Sequence, residues 1–326
     1  NGKADEYPLV GSVTLDPALN LINAFIYEDG DQHALVTDGK VDVAYNKEAW
    51  REGLRYLNRL YNEELLAPIS YTQDFAQQRT MINNEGECIV GAFVYYSQNM
   101  MATTSPYYND FFIVGPLQGP EGVQYARYTR GYPSCQWFVT KDCKDPELAV
   151  RVGDFMFTDE AYMLNRFGLE GEHYVLAKEG DVCCFDGFEP ILMQTDAGIN
   201  LWSEVQNVYW RNKCPGVLSN LVNNFVWNGD PLNGNWRIGQ GASNYYKYRP
   251  EKGTYLPKLM YTEDETYELS DLKTTILSYA DECKVRFITG DLSLDKDWDA
   301  YVSELDAMGL SDYLALLQTA YDRQAQ

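Results

Sequence analysis

The sequence predicts a protein that mixes helices and strands without strict alternation, in an α/β or α+β fold. Three observations favour this class. Apolar residues recur every three or four positions in several long stretches, as in amphipathic helices. Short apolar runs next to turn residues, such as residues 88–94, are typical of buried strands. Residue types that favour helix starts, such as the Asp145-Pro146 pair, separate these stretches.

The first long helix is predicted to begin after Asn46 and to run to about Leu65, because Asn is a favoured N-cap residue. A shorter helix that contains Phe75 and Met81 is predicted to begin at Thr72. The apolar residues that share one face of the long helix are Trp50, Leu54, Leu57, Tyr61 and Leu65.

The middle of the chain combines predicted strands with two helices. Asp145 is predicted to cap the first helix, with Pro146 at its first position, where the missing N–H costs nothing. Thr158 is predicted to cap the second, and Gly168 to end it. The predicted inner face of the first helix carries Leu148, Val152, Phe155 and Met156. The predicted strands are residues 88–94, 111–114 and 136–139.

The last third of the chain is predicted to be helical. Three helices are expected to begin at Ser270, Asp295 and Ser311. Trp298 and Tyr301 lie on the apolar face of the second of these helices, which predicts that they are core residues.

The composition narrows the classes of function. With 26 basic and 48 acidic residues, the chain has a net charge of −22, which argues against binding to nucleic acid or to an anionic membrane surface. Its apolar runs are all shorter than the roughly 20 residues of a membrane-spanning helix. The 26 Tyr residues combine an apolar face with a polar tip, which suits the binding of sugars.

Cysteine and histidine offer little to a metal or catalytic site. The seven Cys are an odd number and lack the two-residue spacing of a zinc or redox motif, so we interpret them mainly as small buried residues. Cys183 and Cys184 are adjacent, and we interpret them as two thiols or as partners of other cysteines. The only two His are His33 and His173.

Three stretches together resemble the extracellular solute-binding proteins of ABC importers, family 1, the maltose- and alginate-oligosaccharide-binding type. The second resembles a strand, a helix that begins with Asp-Pro-Glu and a Gly-Leu-Glu-Gly segment of that family. The third resembles the C-terminal signature of its lipoprotein-type branch. The stretches are REGLRYLNRLYNEELLAPISYTQDFAQQRTMINNEGECIVGAF, WFVTKDCKDPELAVRVGDFMFTDEAYMLNRFGLEGEHY and FITGDLSLDKDWDAYVSELDAMGLSDYLALLQTAYDRQ.

The first residues are similar to the second half of a calcium loop found in that branch. In this interpretation Asn1 supplies a side-chain oxygen, Lys3 a backbone carbonyl, and Asp5 and Glu6 carboxylates, which are the oxygen ligands that Ca²⁺ prefers. The resemblance therefore implies Ca²⁺ as a cofactor, held here by an incomplete loop. The alternative is a polar turn.

The resemblance implies a periplasmic-binding-protein type II fold with two lobes. Residues 1–125 and 186–326 are expected to form the C-lobe, and residues 126–185 a crossing segment that belongs to the N-lobe. In the family, most of the N-lobe sheet precedes the calcium loop. We therefore expect a fragment from which most of the N-lobe is missing.

Candidate ligand-binding residues are mainly aromatic, because flat rings stack on pyranose rings. Phe93, Tyr95 and Tyr96 follow a predicted buried strand, at the end where α/β sheets place ligands. The 127–132 segment is basic, and its two arginines, Arg127 and Arg130, suit an acidic sugar or a phosphate, with surface pairing to acids as the alternative. Arg127 and Tyr132 are the candidate ligand contacts in this segment. The remaining candidates are Trp137, Trp202, Trp227 and Trp236, and the alternative for each of them is burial in the core.

The function that the resemblance implies is capture of an oligosaccharide or related solute in a cleft, followed by delivery to the membrane subunits of an ABC permease. It implies no catalytic residue, no nucleic acid, a monomer, and an extracellular location as a lipoprotein or periplasmic protein. The alternative is a glycoside hydrolase, which needs only two carboxylates at the right separation. An acidic adhesin or scaffold is a third class, which no feature of the sequence favours.

Overall fold

The computed structural model describes residues 6–84, 86–95, 97, 100–102, 104–128, 137–195 and 224–325. The chain divides into two units, which we call unit 1 (residues 1–130 and 244–326) and unit 2 (residues 131–243). The divisions therefore fall after residues 130 and 243, whereas the sequence placed them after residues 125 and 185. The assignment of the segments to a C-lobe and an N-lobe stays a prediction.

Two pairs of strands form among the described residues of unit 1. Strands β1 and β4 are parallel, and Val10 at the end of β1 lies opposite Phe93 at the end of β4. Strands β2 and β3 form an antiparallel hairpin. The bounds are Tyr7–Val10 for β1, Ala34–Thr37 for β2, Lys40–Val43 for β3 and Val90–Phe93 for β4. The predicted strand at 88–94 is thus confirmed in its central part, while residues 111–114 are irregular.

Unit 1 begins with one short and one long helix. Helix α1 spans Pro17–Leu21, and Asp16 caps it by accepting a hydrogen bond from the Ala18 N–H. Helix α2 spans Glu48–Asn62, and Lys47 precedes it without a side-chain cap, so the predicted cap Asn46 lies one residue too early and the predicted end near Leu65 three residues too late. Trp50, Leu54 and Leu57 of the predicted apolar face are buried, which confirms this part of the face.

Helix α3 spans Phe75–Ile82 and begins at a different cap from the predicted Thr72. The Asp74 side chain accepts a hydrogen bond from the Gln77 N–H, and the Gln77 side chain accepts one from the Asp74 N–H. This reciprocal capping box satisfies two backbone donors at once. Thr72 instead follows a short 3₁₀ turn, Pro68–Tyr71.

The C-terminal part of unit 1 is helical as predicted, but its first helix begins eight residues earlier than Ser270. Thr262 and Glu265 form a capping box at its start, and Gly290 ends it in a left-handed conformation. The first turn is acidic and exposed, so apolar periodicity does not reveal it. The bounds are Glu263–Thr289 for α7, Trp298–Ala307 for α8 and Leu310–Ala325 for α9. The N-cap position of α8 is Asp297, two residues after the predicted Asp295, and the predicted cap Ser311 lies inside α9.

The main core of unit 1 forms where α2 and α9 pack on α7 and where α9 packs on strand β3. Phe287 of α7 makes an edge-to-face contact with Tyr301 of α8 at 5.4 Å between ring centroids. Trp298 and Tyr301 are buried, which confirms them as core residues. The Tyr301 hydroxyl donates to the Tyr45 carbonyl at 3.1 Å, which satisfies its polar end.

In residues 137–195 and 224–243, the part of unit 2 that the structure describes, three helices and an antiparallel strand pair form. Asp145 caps helix α4 and Thr158 caps helix α5, and Gly168 follows α5 at φ +92°, all as predicted. Residues 137–139, predicted as part of a strand, are irregular. The bounds are Pro146–Met156 for α4, Asp159–Phe167 for α5, Tyr174–Leu176 for β5, Leu192–Gln194 for β6 and Gly234–Tyr246 for α6, whose last three residues lie in unit 1.

The predicted inner face of α4 is not buried. Leu148, Val152 and Phe155 are 56%, 44% and 50% exposed. Apolar spacing shows which residues share a helix face, and it does not show what covers that face. The core of unit 2 lies instead around Phe167, which packs edge to face with Phe225 at 5.9 Å between ring centroids.

The five described cysteines form no disulfide. Cys183, Cys184 and Cys283 are buried, and Cys88 and Cys143 are half-buried. Cys135 and Cys214 lie outside the described residues. Within the described ranges, no helix has the length and apolar character needed to cross a membrane.

A buried charge cluster joins the beginning of unit 1 to helix α7. The Lys284 ammonium lies 2.9 Å from Asp16 Oδ2 and 2.8 Å from Asp281 Oδ1. Beside it, Nδ1 of His33 lies 2.7 Å from Oε1 of the fully buried Glu28. We call Asp16, Glu28, His33, Asp281 and Lys284 the buried charge cluster.

We predict that Lys284→Met destabilises the chain by about 3 kcal/mol, because it leaves the Asp16 carboxylate buried without its cation. The measurement is urea denaturation at neutral pH. The matched control on the same helix is Lys273→Met. Lys273 pairs with the exposed Asp31 at 3.6 Å, so its loss should cost about 0.5 kcal/mol or less. Equal losses for the two variants would refute the role of the cluster.

A second prediction concerns pH. Burial by itself lowers the pKa of His33, but the Glu28 carboxylate, with help from Asp281 and against Lys284, raises that pKa above its usual value. A raised pKa in the folded state stabilises the protein below the unfolded pKa of about 6.5, and this stabilisation is lost as the pH rises through the folded pKa. The free energy of unfolding should therefore fall as the pH rises above about 6.5, and by more in the wild type than in His33→Gln. Identical pH slopes for the two proteins would contradict the assignment.

Candidate functional site

The carboxyl ends of β1 and β4 form the candidate site in unit 1. The two strands are parallel neighbours, so Val10 and Phe93 reach the same edge together. In open α/β sheets this edge is where ligands bind. Gly11 and Ser12 follow β1, and Val94 and Tyr95 follow β4.

Aromatic rings gather at this edge, as the sequence predicted for Phe93 and Tyr95. Phe93 lies 5.4 Å from Phe111, and Tyr95 lies 5.7 Å from Phe75, measured between ring centroids. Phe93, Tyr95 and Phe111 are half-buried. Each packs on a smaller core of unit 1 that includes Val10 and Val90, and each keeps part of its ring accessible. We call Phe75, Phe93, Tyr95 and Phe111 the strand-end cluster. Tyr96, the third aromatic predicted here, lies outside the described residues.

Buried polar side chains fix the backbone of the same edge. The Gly11 N–H donates to Ser70 Oγ at 3.0 Å, and the Gln73 amide donates to the Gly11 carbonyl at 2.6 Å. The Gln78 amide donates to the Val94 carbonyl at 3.3 Å. The strand-end cluster therefore rests on a backbone that is held from the 68–82 segment, which suits a preformed binding surface.

Arg127 contacts the backbone of a loop in unit 1. Its Nε donates to the Asp29 carbonyl at 3.1 Å. Gly30 has φ +73°, and a Cβ there would lie 2.8 Å from the guanidinium, so a glycine permits the close approach. Arg127 is exposed. Tyr132, predicted with it, lies outside the described residues.

The structure also reveals a second arginine that the sequence analysis missed. The Arg249 guanidinium lies over the rings of Tyr128 and Tyr246, at 5.5 Å and 4.9 Å from their centroids. Tyr128 in turn lies 5.4 Å from Tyr255. Arg249 is 121 positions from Tyr128 in the chain, so no local pattern predicts the contact. The only available signal is that both segments are rich in Arg and Tyr.

In unit 2, two of the predicted tryptophans form one stacked pair. The rings of Trp227 and Trp236 are nearly parallel, with centroids 4.1 Å apart. The Trp227 indole donates to the Asp230 carbonyl at 3.0 Å, and the Trp236 N–H donates to Asn233 Oδ1 at the start of α6. Both rings are half-buried against the core of unit 2. Trp202 lies outside the described residues.

Trp137 packs on helix α4 rather than in a strand. Its indole N–H donates to the Ala149 carbonyl at 3.1 Å. A Cβ at Gly153 would lie 2.9 Å from its ring, so the small residue makes room for it. Trp137 is 38% exposed. This position gives Trp137 a packing role, and a ligand contact for it stays a prediction.

Of the predicted calcium ligands, the structure describes only Glu6, an exposed residue immediately before β1. Asn1, Lys3 and Asp5 lie outside the described residues. Among the residues that are described, no group of three or more His, Cys, Asp or Glu side chains could hold a metal ion. The chemistry of the complete donor set therefore rests on the sequence.

The carboxylates with shifted pKa values have structural partners. Burial raises the pKa of Asp29, whose Oδ1 accepts hydrogen bonds from the N–H groups of Asp31, Gln32 and His33. The Arg323 guanidinium lowers the pKa of Glu265 to about 2, and Glu265 also caps α7. Both carboxylates stabilise local structure, which is not the arrangement of an acid and a base facing a bond to be cleaved.

A search of curated proteins finds a relative along nearly the whole chain. The fructooligosaccharide ABC transporter substrate-binding protein FusA of Streptococcus pneumoniae is 23% identical over 330 residues, which are 99% of this chain and 58% of FusA. The chain thus spans 58% of the length of this relative. No protein-family profile matches the chain.

Solved structures of such proteins share the fold. FusA in complex with kestose superposes with a TM-score of 0.72 at 21% identity, covering 100% of this chain and 64% of that chain. An EF-hand mutant of FusA with fructo-nystose gives 0.71 at 19% identity, with the same coverage. The alginate-binding protein AlgQ2, solved without calcium ion, gives 0.66 at 20% identity and covers 97% of this chain and 64% of its own.

These comparisons confirm the fold class predicted from the sequence, that of the two-lobe substrate-binding proteins. They also confirm the predicted resemblance to the extracellular solute-binding proteins of ABC importers. The relatives named here are binding proteins of transporters, not enzymes.

Proposed function

We propose that this chain is, or is part of, the substrate-binding component of an ABC importer and that it captures an oligosaccharide. The observation that carries the proposal is the match to FusA along 99% of the chain. The strand-end cluster supports it independently, because the match in sequence says nothing about which side chains meet at the edge of β1 and β4.

The chemistry of that cluster suits a saccharide. Half-buried rings offer flat apolar faces for pyranose or furanose rings, while the Tyr95 hydroxyl can pair with sugar hydroxyl groups. The polar clamps from Ser70, Gln73 and Gln78 keep the surface in one conformation, which reduces the entropy lost on binding. Phe93 and Tyr95 are our first candidates for ligand contact, and the Trp227–Trp236 pair is the corresponding candidate in unit 2.

Two arginines of unit 1 are further candidates. The Arg249 guanidinium lies over the rings of Tyr128 and Tyr246, and Arg127 donates a hydrogen bond to the Asp29 carbonyl. Fixed guanidinium groups donate several hydrogen bonds in a plane, which suits the hydroxyl or carboxylate oxygens of a sugar. Arg127 therefore stays a proposed ligand contact, together with Tyr132, Tyr96, Trp137 and Trp202 from the sequence.

The first test of the function combines binding with product analysis. The chain is incubated with kestose, nystose, alginate oligosaccharides and maltotriose while its melting temperature and the released sugars are recorded. We expect that one class of oligosaccharide raises the melting temperature and that no sugar is cleaved, because a ligand that binds only the folded state stabilises it. Cleavage that a single Asp or Glu substitution abolishes would instead establish the hydrolase alternative.

A variant connects binding to the strand-end cluster. Phe93→Leu keeps an apolar side chain but removes the flat ring, so the Kd for the stabilising oligosaccharide should rise about fivefold, the loss of about 1 kcal/mol of stacking. The matched control is Tyr267→Leu, because Tyr267 is an aromatic residue that is 70% exposed on helix α7. If the two variants bind equally well, the oligosaccharide does not contact Phe93.

We also propose that the complete protein binds Ca²⁺ through Asn1, Lys3, Asp5 and Glu6 with further ligands. Support comes from the oxygen-rich sequence of this loop, from the EF-hand that is mutated in one FusA structure and from AlgQ2, which was solved without calcium ion. In a protein that carries the whole loop, EDTA should lower the melting temperature and added Ca²⁺ should restore it. An unchanged melting temperature would refute the calcium proposal without touching the saccharide proposal.

The partners and the location follow from the same proposal. A substrate-binding component delivers its ligand to the membrane subunits of a permease, so we propose such subunits as partners. We propose an extracellular location, at the cell surface as a lipoprotein or in the periplasm, and a monomeric state.

A further inference from the structure

Unit 1 contains a cavity of about 470 Å³ that lies outside the strand-end cluster. It opens between the outer face of helix α2, the 3₁₀ turn Ile22–Ala24 and a loop at residues 117–120. This volume is within the range of pockets that bind small molecules. The cavity is lined by Leu21, Ala24, Phe25, Glu52, Arg55, Tyr56, Arg59, Leu117, Gln118, Gly119 and Pro120.

The loop that closes one side of the cavity is fixed in place. A Cβ at Gly119 would lie 1.8 Å from the Ala24 carbonyl oxygen, so only glycine allows the loop to approach the 3₁₀ turn this closely. The Tyr125 N–H donates to the Asn23 carbonyl at 3.0 Å, and the Gln124 amide donates to the Pro116 carbonyl at 2.7 Å. The wall is therefore preformed, as in most small-molecule sites.

The body of the cavity is apolar and aromatic. Leu21, Ala24, Leu117 and Pro120 contribute aliphatic surface. Phe25 and Tyr56 contribute rings whose centroids lie 5.8 Å apart. A ligand that fills this space therefore needs an apolar body.

The two arginines at the cavity differ in their partners. Arg55 is already paired, since its Nε lies 3.1 Å from Glu52 and its Nη2 lies 2.9 Å from Asp295. Arg59 has no carboxylate within 4.0 Å among the residues that the structure describes. Its guanidinium lies 5.3 Å from the centroid of the Tyr56 ring, at the exposed rim. In a chain of net charge −22, this cation is available to a ligand.

We propose that this cavity is a second ligand site and that it binds a small organic acid with an apolar body. The apolar body occupies the space around Phe25 and Tyr56, and the carboxylate pairs with Arg59. A guanidinium recognises a carboxylate through two parallel hydrogen bonds, and the Tyr56 ring limits the orientations from which it does so. A free phosphate lacks the apolar part that most of the lining requires.

The test compares two probes of nearly the same shape, the charged indole-3-acetate and the neutral indole-3-acetamide. Their binding to the full chain is measured by ligand-observed NMR titration. We expect the acetate to bind about tenfold more tightly than the amide, because a hydrogen bond to a charged group is stronger than a neutral one. In Arg59→Gln the acetate should bind no more tightly than the amide. Arg59 is exposed, so this variant should retain the melting temperature of the wild type.

The control variant is Arg151→Gln, which removes an exposed arginine of unit 2 that pairs with Glu147 at 2.7 Å and should leave both affinities unchanged. Inorganic phosphate is titrated as a third probe. The proposal is overturned if neither indole probe binds at millimolar concentration or if the two bind equally well. It is also overturned if Arg59→Gln still prefers indole-3-acetate, or if phosphate displaces indole-3-acetate at the concentration at which indole-3-acetate itself binds.

Discussion

Unit 1 depends on one constraint, which is that two stretches separated by more than a hundred residues must share a core. An ion pair links the two stretches. The buried ammonium of Lys284 in α7 contacts Asp16 at the start of α1 and also Asp281 of its own helix. A buried ammonium needs both carboxylates, so α7 can dock in only one register relative to the first stretch. The His33–Glu28 pair lies beside it and holds the loop that precedes β2.

The candidate ligand surface follows from this arrangement. The core of α2 and α7 supports the β2–β3 hairpin, while the 68–82 segment holds the ends of β1 and β4 through Ser70, Gln73 and Gln78. Phe93 and Phe75 of the strand-end cluster therefore lie in a strand and a helix, which suits precise recognition, while Tyr95 follows β4 directly and Phe111 lies in an irregular segment. The cavity at Arg59 lies on the outer face of α2, so the same helix contributes to the core with one face and to a second proposed site with the other.

The sequence predicted the elements of the fold better than their ends. Trp50, Leu54 and Leu57 could be assigned to the core because helical spacing directly reports which residues share a face. Thr72 and Ser270 were wrong as helix starts because several residues can serve as caps, and the reciprocal bonds of Asp74 with Gln77 and of Thr262 with Glu265 decided between them. The exposed Leu148 and Phe155 of α4 show that amphipathicity does not identify the surface that covers a face.

The candidate site could be predicted only in part, for a related physical reason. Phe93 and Tyr95 were accessible to prediction because a strand and its end are local features of the chain. Arg249 was not, because its contacts with Tyr128 join segments that are distant in sequence, and charge and aromatic content alone do not pair them. That Arg59 meets no carboxylate in the described part of the chain was equally hidden, since this depends on which acids the fold brings near.

The central claim is that an oligosaccharide binds at the carboxyl ends of β1 and β4. Hydrogen–deuterium exchange of the chain, with and without the oligosaccharide that most raises its melting temperature, tests this claim most directly. The account predicts slower exchange in residues 10–12 and 93–95, where the ligand would cover the backbone that follows the strands. Unchanged exchange in both segments, with protection confined to other parts of unit 1, would contradict it.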